Sequence, residues 1–174
     1  MKVVHLNTEL NITSAPYKLH KALVENGVDS RLLIFNYPDG LNEGNRLSSP
    51  EHTLDYKIKR RVCSLKRKSV LEKYKRNEFM PFSAIPVGID ISEHEFIKWA
   101  DIICIHWTGG DYLSPSEIEK LLKLKKPVFM FCHDNAPFTG GCHVGLGCEN
   151  YKNGCGRCPQ LSSYDAQDIT SKLV

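Results

Sequence analysis

The fold is decided between residues 2 and 36, which read KVVHLNTELNITSAPYKLHKALVENGVDSRLLIFN. Lys2–Asn7 has the composition of a strand, and Ser14–Asn26 carries apolar residues at helical spacing, namely Ala15, Leu19, Ala22 and Leu23. Gly27 supplies the left-handed residue that ends many helices, and Arg31–Asn36 is a second apolar run. A strand, a helix, a glycine stop and a strand in this order predict a βαβ unit with parallel strands.

The alternation of strands and helices continues to residue 132. The other predicted elements are a loop at Tyr37–Pro50, an irregular stretch at Phe79–Asp90, helices at Glu93–Ala100 and Ser114–Lys123, and strands at Asp101–His106 and Pro127–Cys132. Asp134–Leu161 is dominated by Gly, Asn, Cys and Pro. The sequence therefore predicts the α/β class: an open, mostly parallel, Rossmann-like sheet of four or five strands, helices on both faces, and a cysteine-rich irregular segment near the C-terminus.

The overall composition is that of a globular protein. The chain has 174 residues, 41% of them hydrophobic and 25% charged. It contains no run near the roughly 18 apolar residues of a membrane-spanning helix. Met1–Asn7 becomes polar too early for a secretory signal peptide. We therefore expect a cytoplasmic protein whose seven cysteines are kept reduced.

Positive charge is concentrated in one element. Lys57–Arg76 contains ten Lys or Arg and a single acidic residue, Glu72, whereas the whole chain has a formal net charge of only +3. Its apolar residues recur at roughly helical spacing, which predicts an amphipathic helix with a cationic outer face. A single basic helix in an otherwise acidic chain is unlike the charge distribution of a nucleic-acid-binding protein. We expect this helix to dock on anionic lipid at the inner face of the membrane; the alternatives are a solvated face or a contact with nucleotide phosphate.

Three polar clusters follow predicted strands, at Asn7–Glu9, His106–Gly110 and His133–Asn135. Ligands of open α/β sheets bind at the carboxyl ends of the strands, so the three clusters together predict a site. An indole face suits the apolar face of a sugar ring, which predicts that Trp107, together with His106, forms a sugar-stacking platform. The alternative is an aromatic pair at the edge of the core.

Four of the seven cysteines lie close together in the sequence, at Cys142, Cys148, Cys155 and Cys158. Four thiolates can close a tetrahedral zinc site, and the tight turn between the last two lets both sulfurs reach one metal ion. Such a site is structural, because no coordination position is left for water. His143 could replace one cysteine. A disulfide, for instance between Cys142 and Cys155, and unlinked thiols are the alternatives.

Several segments resemble a known family, in order along nearly the whole chain: Leu19–Ser30, Ala100–Trp107, Lys126–Asp134, Phe138–His143 and Cys155–Leu161. They are similar to bacterial family 4 glycosyltransferases, which build surface or exported polysaccharides. The resemblance implies the GT-B arrangement, in which two Rossmann-like domains face each other across a cleft. Residues 1–174 would be a single amino-terminal domain that holds the acceptor, a saccharide or a lipid-linked saccharide. The donor-binding carboxy-terminal domain is absent, so we expect the chain alone to be unable to transfer sugar.

The resemblance also implies roles for individual residues. It implies that His133 and Asp134 lie at the cleft near the transferred sugar as catalytic residues, where an imidazole can donate to a sugar hydroxyl or take a proton. The alternative for His133 is a backbone bond at a strand end. Substrate-binding residues would be His106, Trp107, Thr139, Gly140 and Gly141. The sugar nucleotide would be bound mainly by the absent domain.

One segment departs from the family pattern. Members usually carry a glycine-rich turn between the first strand and the first helix, whereas Asn7–Pro16 contains no glycine. Close approach of the backbone to a ligand is harder where side chains are present. This departure leaves a second function open, a non-catalytic module that binds carbohydrate or lipid, or a zinc-stapled interaction module.

Overall fold

Five strands form one sheet, and all of them run parallel. The computed structural model describes residues 1–37, 39–76 and 81–173. The strands are β1 at Lys2–Asn7, β2 at Asp29–Ile34, β3 at Leu47–Ser48, β4 at Ile102–Ile105 and β5 at Val128–Met130. This confirms the predicted α/β class and the parallel sheet.

Four helices and several short turns connect the strands. The helices are α1 at Ala15–Glu25, α2 at Leu54–Leu71, α3 at Glu95–Trp99 and α4 at Pro115–Lys123. The start of α4 shows why the helix begins where it does. The carboxylate of Glu117 accepts hydrogen bonds from the backbone N–H of Ser114, at 3.3 Å, and from the Ser114 hydroxyl. Together these residues form a capping box, which satisfies backbone donors that the first turn leaves unpaired.

The strand order is β3-β2-β1-β4-β5, so β1 is the central strand. His5 of β1 lies opposite Leu32 of β2 on one side and opposite Cys104 of β4 on the other. Strands β2 and β3 lie on one side of β1, and β4 and β5, which come later in the chain, lie on the other side. The carboxyl ends of β1 and β4 therefore flank the topological switch point, where open α/β sheets bind their ligands.

The chain divides into two compact units. The sheet unit consists of Met1–Tyr56 and Val87–Phe131, and the cysteine unit consists of Lys57–Pro86 and Cys132–Val174. Both apolar clusters found among the described residues belong to the sheet unit, where Val4, Leu6, Leu33, Ile103 and Ile105 have no exposed surface. Complete burial of such a side chain contributes about 1.5–3 kcal/mol relative to leaving it exposed. The hydrophobic effect therefore holds the sheet unit together.

The cysteine unit is built differently. Phe82 and Cys142 form an isolated antiparallel bridge, and the backbone N–H of Ser83 donates to the carbonyl of Gly141 at 2.7 Å. The guanidinium of Arg67 donates to the carbonyl oxygens of Ala84 and Ile85, at 2.7 and 3.1 Å. In the described part of this unit, α2 is followed only by 3₁₀ turns, so most backbone groups depend on turns and side chains for partners.

Two elements differ from their predictions. The predicted loop at Tyr37–Pro50 contains β3, which has only two residues and is too short to show an alternating pattern. The basic helix, predicted at Lys57–Arg76, begins earlier and ends earlier, as α2 does at Leu54 and Leu71. The hydroxyl of Thr53 accepts from the backbone N–H of Tyr56 at 3.3 Å, which stabilises the first turn.

One further predicted element is shorter in the structure, and another lies partly outside the described residues. The predicted strand Pro127–Cys132 forms only three residues of β5, an edge strand on which Phe129 and Met130 are 55% and 42% exposed. The predicted irregular stretch Phe79–Asp90 begins outside the described residues, and its described part, 81–90, contains no helix and no named strand. No helix in the described parts of the chain is long and apolar enough to cross a membrane.

Candidate functional site

Hydrogen bonds join the carboxyl ends of β1 and β4. The backbone N–H of Trp107 donates to the side-chain oxygen of Asn7 at 2.8 Å, and the backbone N–H of Thr8 donates to the carbonyl of Trp107 at 2.8 Å. The amide nitrogen of Asn7 donates in turn to the carbonyl of Glu9. Asn7 is 7% exposed and Thr8 is 2% exposed, so these side chains fix the shape of the strand ends.

Two glycines allow the loop after β4 to fold against Trp107. The Thr8 hydroxyl donates to the carbonyl of Gly109 at 2.6 Å. A Cβ atom at Gly109 would lie 2.8 Å from the Trp107 ring, closer than real Cβ contacts, and Gly110 has a left-handed φ of 69°. The Trp107 side chain remains partly exposed. We call the site formed by these five residues, Asn7, Thr8, Trp107, Gly109 and Gly110, the strand-end crevice.

His106, which the sequence pairs with Trp107 as a platform, is only 5% exposed. Its Nε2 atom lies 3.0 Å from Nδ1 of His5, and its ring stacks on Phe131 with the centroids 4.5 Å apart and the planes at 17°. A stacking platform must present one ring face to its ligand, and burial leaves little of the His106 ring accessible. Trp107 is the less buried residue of the predicted pair.

A row of buried histidines lies in the sheet unit. His5 and His20 have no exposed surface, and Nδ1 of His20 lies 2.9 Å from the Ser30 hydroxyl. Burial, together with the charges of His106 and His20, lowers the pKa of His5 to about 3. Burial also lowers the pKa of His20, although the carboxylate of Glu43, 3.7 Å from its Nε2, opposes this shift. These imidazoles are therefore neutral at pH 7.

The predicted catalytic residues have different environments in the cysteine unit. His133 is exposed, whereas the Asp134 carboxylate has two partners. It accepts from Nδ1 of His143 at 2.6 Å and from the backbone N–H of Ala136 at 2.8 Å. Nε2 of His143 lies 2.8 Å from the Ser83 hydroxyl. With Nδ1 carrying the proton, Nε2 accepts from Ser83, and the three side chains form one hydrogen-bonded chain.

The predicted substrate-binding residues after position 138 pack inside the cysteine unit. The Thr139 hydroxyl donates to the carbonyl of Cys142 at 2.7 Å. A Cβ atom at Gly140 would lie 2.3 Å from the carbonyl oxygen of Thr170, and one at Gly141 would lie 2.4 Å from that of Ser83. All three predicted residues are buried, and their observed contacts are with backbone and side-chain atoms of the cysteine unit itself.

The four clustered cysteines line one cavity. Cys142, Cys148, Cys155 and Cys158 surround it together with Phe82, Tyr151 and several small residues. The cavity has a volume of about 20 Å³, which is room for one or two small atoms. All seven cysteines of the chain are free thiols. Residues separated by 16 positions in the sequence thus share one small space.

The thiols influence each other electrically. Burial raises the pKa of Cys155, the hydrogen bond that its sulfur accepts from the Gly140 N–H at 3.3 Å lowers it, and charge on Cys142 or Cys148 would raise it. Burial also raises the pKa of Cys158, and hydrogen bonds from backbone N–H groups oppose this shift. Negative charge on these sulfurs is therefore costly in the absence of a cation.

Within residues 1–37, 39–76 and 81–173, no group of three or more His, Cys, Asp or Glu side chains stands ready arranged as metal ligands. His143, which the sequence offers as a replacement ligand, has both ring nitrogens engaged, by Asp134 and Ser83. Of the proposed donors, the four sulfurs are the ones that share the cavity.

Two features of the site were missed from the sequence. His5 is the one polar residue inside the run Val3–Leu6, and a polar residue in an apolar strand could have indicated a buried imidazole. The hydrogen-bonded chain of Ser83, His143 and Asp134 has no such signal, because the serine is about 50 to 60 residues away from its partners. Only folding brings it within reach.

No protein-family model, no curated protein and no solved structure matches this chain. The resemblance to family 4 glycosyltransferases therefore stays a prediction, carried by the segments quoted for it.

The buried histidines predict an acid-sensitive sheet unit. Because the folded-state pKa of His5 lies below the unfolded value of about 6.5, the unfolded state binds more protons in acid. The free energy of unfolding should be highest above pH 6.5 and should fall toward pH 3, by at most about 1.4 kcal/mol per pH unit for each histidine. Denaturant unfolding followed by the fluorescence of Trp99 and Trp107, both in the sheet unit, measures this dependence.

The variant His5→Asn keeps a polar atom near Nδ1 but cannot titrate, so its stability should vary less with pH. Leu32→Val, at the residue paired with His5, is the control: it lowers stability without removing an ionisable group and should keep the wild-type slope. Equal slopes in wild type and His5→Asn would contradict the assignment.

Proposed function

We propose that this chain is the acceptor-side half of a glycosyltransferase, and that it binds a saccharide or lipid-linked saccharide in the strand-end crevice. The observation that supports this most is the position of Trp107, a partly exposed indole at the topological switch point of a parallel sheet. In this proposal a second domain binds the sugar nucleotide, and the transfer is a step in polysaccharide biosynthesis.

The chemistry of the crevice favours a neutral, hydroxyl-rich ligand. An indole face stacks on the C–H groups of a sugar ring, and the amide and carbonyl edges of Gly109 and Gly110 can bond sugar hydroxyls. The charged residues on either side of the crevice in sequence, Glu9 and Asp111, are acidic and disfavour a phosphate. In addition, the backbone N–H groups of Thr13 and Ser14, before α1, already donate to Asn11, at 3.0 and 3.1 Å.

In this proposal, His133 takes part in the reaction and Asp134 positions it. His133 is exposed and can donate a hydrogen bond to the transferred sugar or take a proton from the attacking hydroxyl. The carboxylate of Asp134 is committed to His143 and to the Ala136 N–H. Asp134 therefore acts as a positioning residue, which holds the segment that carries His133.

The second candidate function is a non-catalytic saccharide-binding module. The hydrogen bonds that Thr13 and Ser14 donate before α1 favour it, because these two N–H groups are then not offered to a ligand phosphate. Both candidates use Trp107, and they differ in whether His133 contributes to a reaction.

Saccharide binding tests the crevice. Calorimetric titration of the chain with a panel of neutral oligosaccharides should find a ligand whose affinity falls roughly two- to tenfold in Trp107→Ala, since an aromatic contact contributes roughly 0.5–1.5 kcal/mol. Trp99→Phe is the matched control, because Trp99 packs on Arg31 at 3.9 Å and lies outside the crevice. Binding that survives Trp107→Ala, in a variant that circular dichroism shows to be folded, would contradict the proposal.

Sugar transfer separates the two candidates. In a protein that joins this chain to a donor-binding domain, His133→Ala should lower kcat by about 10²–10⁴-fold, the usual contribution of a general acid or base. Saccharide affinity should not change. Transfer at the wild-type rate would remove His133 from the mechanism, and absence of transfer with every sugar nucleotide tried would favour the binding module.

The same proposal includes docking on a membrane through α2. Ile58, Val62 and Leu65 recur at i, i+4 and i+7, which places them on one helix face, and they are 57%, 46% and 63% exposed. Helical geometry places Arg61 and Lys68 on one side of this stripe and Lys59 and Lys66 on the other. An exposed apolar stripe between two basic margins is the pattern of helices that lie in the interface of anionic bilayers.

Vesicle flotation tests this docking. The chain should float with vesicles that contain anionic lipid and remain unbound with neutral ones, and Ile58→Asp should abolish flotation because it places a charge in the apolar stripe. Lys59→Gln and Lys66→Gln should each weaken binding about fivefold, from roughly 1 kcal/mol per basic residue. Leu122→Asp, at a residue of α4 that is 56% exposed, is the control and should bind normally. Equal binding to neutral vesicles would contradict the proposal.

A further inference from the structure

We propose that the sulfurs of Cys142, Cys148, Cys155 and Cys158 hold one zinc ion, which replaces the missing apolar core of the cysteine unit. The inference is independent of glycosyl transfer, because it concerns what keeps this unit folded. It is carried by the shared cavity, by the backbone that delivers the sulfurs to it, and by the absence of an apolar core cluster among the described residues of the unit.

The cavity has the chemistry of a soft-metal site. Four sulfurs line it, and its volume is that of one or two small atoms. Zinc binds thiolate at about 2.3 Å, so a tetrahedral site needs sulfurs about 3.8 Å apart. The four thiols have not reached ligand geometry, as no ready group of three ligands occurs among the described residues. In this proposal, zinc binding draws the four thiols together through rotation of their side chains.

The turn that presents Cys155 has an unusual backbone. Gly154, Cys155, Gly156 and Arg157 are four consecutive residues with positive φ, at 86°, 58°, 86° and 45°. Residues other than glycine avoid this region, so the two non-glycine residues must be held there by their surroundings. The turn brings Cys155 and Cys158 to the same cavity, and a metal ion bound to both sulfurs would hold it in place.

Backbone N–H groups donate one hydrogen bond to a sulfur and two from the segment that carries Cys155 and Cys158. The Gly140 N–H donates to the Cys155 sulfur at 3.3 Å. The Cys158 N–H donates to the Asp168 carboxylate at 2.9 Å, and the Gly156 N–H donates to the Thr170 hydroxyl at 2.9 Å. The bond to sulfur is of the kind that orients a metal ligand and stabilises thiolate charge, and the other two hold the backbone of the turn. They fix the chain around the cavity on both sides of the turn.

The ligand set is four sulfurs, without His143. Its Nδ1 is 2.6 Å from Asp134 and its Nε2 is 2.8 Å from the Ser83 hydroxyl, so neither nitrogen is available to a metal ion. Four protein ligands leave no position for water or substrate. The metal therefore has a structural role, and the alternatives of a disulfide or unlinked thiols make different predictions.

Metal content and metal spectroscopy test the proposal. Protein purified without chelator should contain one zinc ion per chain, and the four cluster thiols should become more reactive after removal of zinc, whereas Cys104, which is buried, should react only after unfolding. Replacement of zinc by Co²⁺ should give the intense visible absorption of a tetrahedral tetrathiolate site. Chelation should lower the thermal stability of the cysteine unit.

Three variants decide the ligand set. Cys155→Ser should lose the bound metal or shift the cobalt spectrum toward three sulfurs, whereas Cys63→Ser, on α2 away from the cavity, should behave as wild type. His143→Gln should keep the tetrathiolate spectrum. A spectrum that changes in His143→Gln but not in Cys155→Ser would overturn the ligand set. Wild-type protein without zinc or cobalt affinity, with cluster thiols that react equally before and after removal of metal, or with a disulfide, would overturn the site, whether or not the variants fold.

Discussion

β1 pairs with β2 along one edge and with β4 along the other, and the rest of the sheet unit depends on this double pairing. It places the ends of two strands from opposite halves of the sheet side by side. There, the backbone N–H of Trp107 can reach the side chain of Asn7. A parallel sheet whose strand order reverses at its central strand leaves such a crevice, and in this chain an indole and two glycines line it.

The cysteine unit satisfies a different constraint. Its described residues contribute no apolar cluster, so hydrogen bonds and close backbone packing must define it. Gly140 and Gly156 have no space for a side chain, because Cβ atoms there would lie 2.3 Å from carbonyl oxygens of Thr170 and Ala166. The backbone at both positions therefore packs directly against neighbouring carbonyl groups. The zinc ion that we propose, coordinated by four sulfurs, would hold these segments together.

Polar side chains lie inside both units, and their environments differ. The imidazoles of His5 and His20 remain neutral inside the sheet unit, where a charge would be costly. The carboxylate of Asp134 retains its partners, His143 and the Ala136 N–H. The partners of Asp134 bear on the catalytic roles that the family resemblance implies. This pairing leaves His133 as the exposed member of the predicted catalytic pair and gives Asp134 a structural partner that the sequence did not indicate.

The sequence by itself determined the βαβ start, the parallel sheet and four of its five strands, because alternation, helical period, Gly27 and the capping residue Ser114 are local signals. The sequence also indicated that four cysteines cluster, because their spacing along the chain is known without a structure. Only the tertiary structure decided that β3 exists, that His106 is buried while Trp107 is not, and that His143 is engaged by Asp134 and Ser83. These outcomes depend on which distant surfaces meet, and a pattern of residue types along the chain does not contain that information.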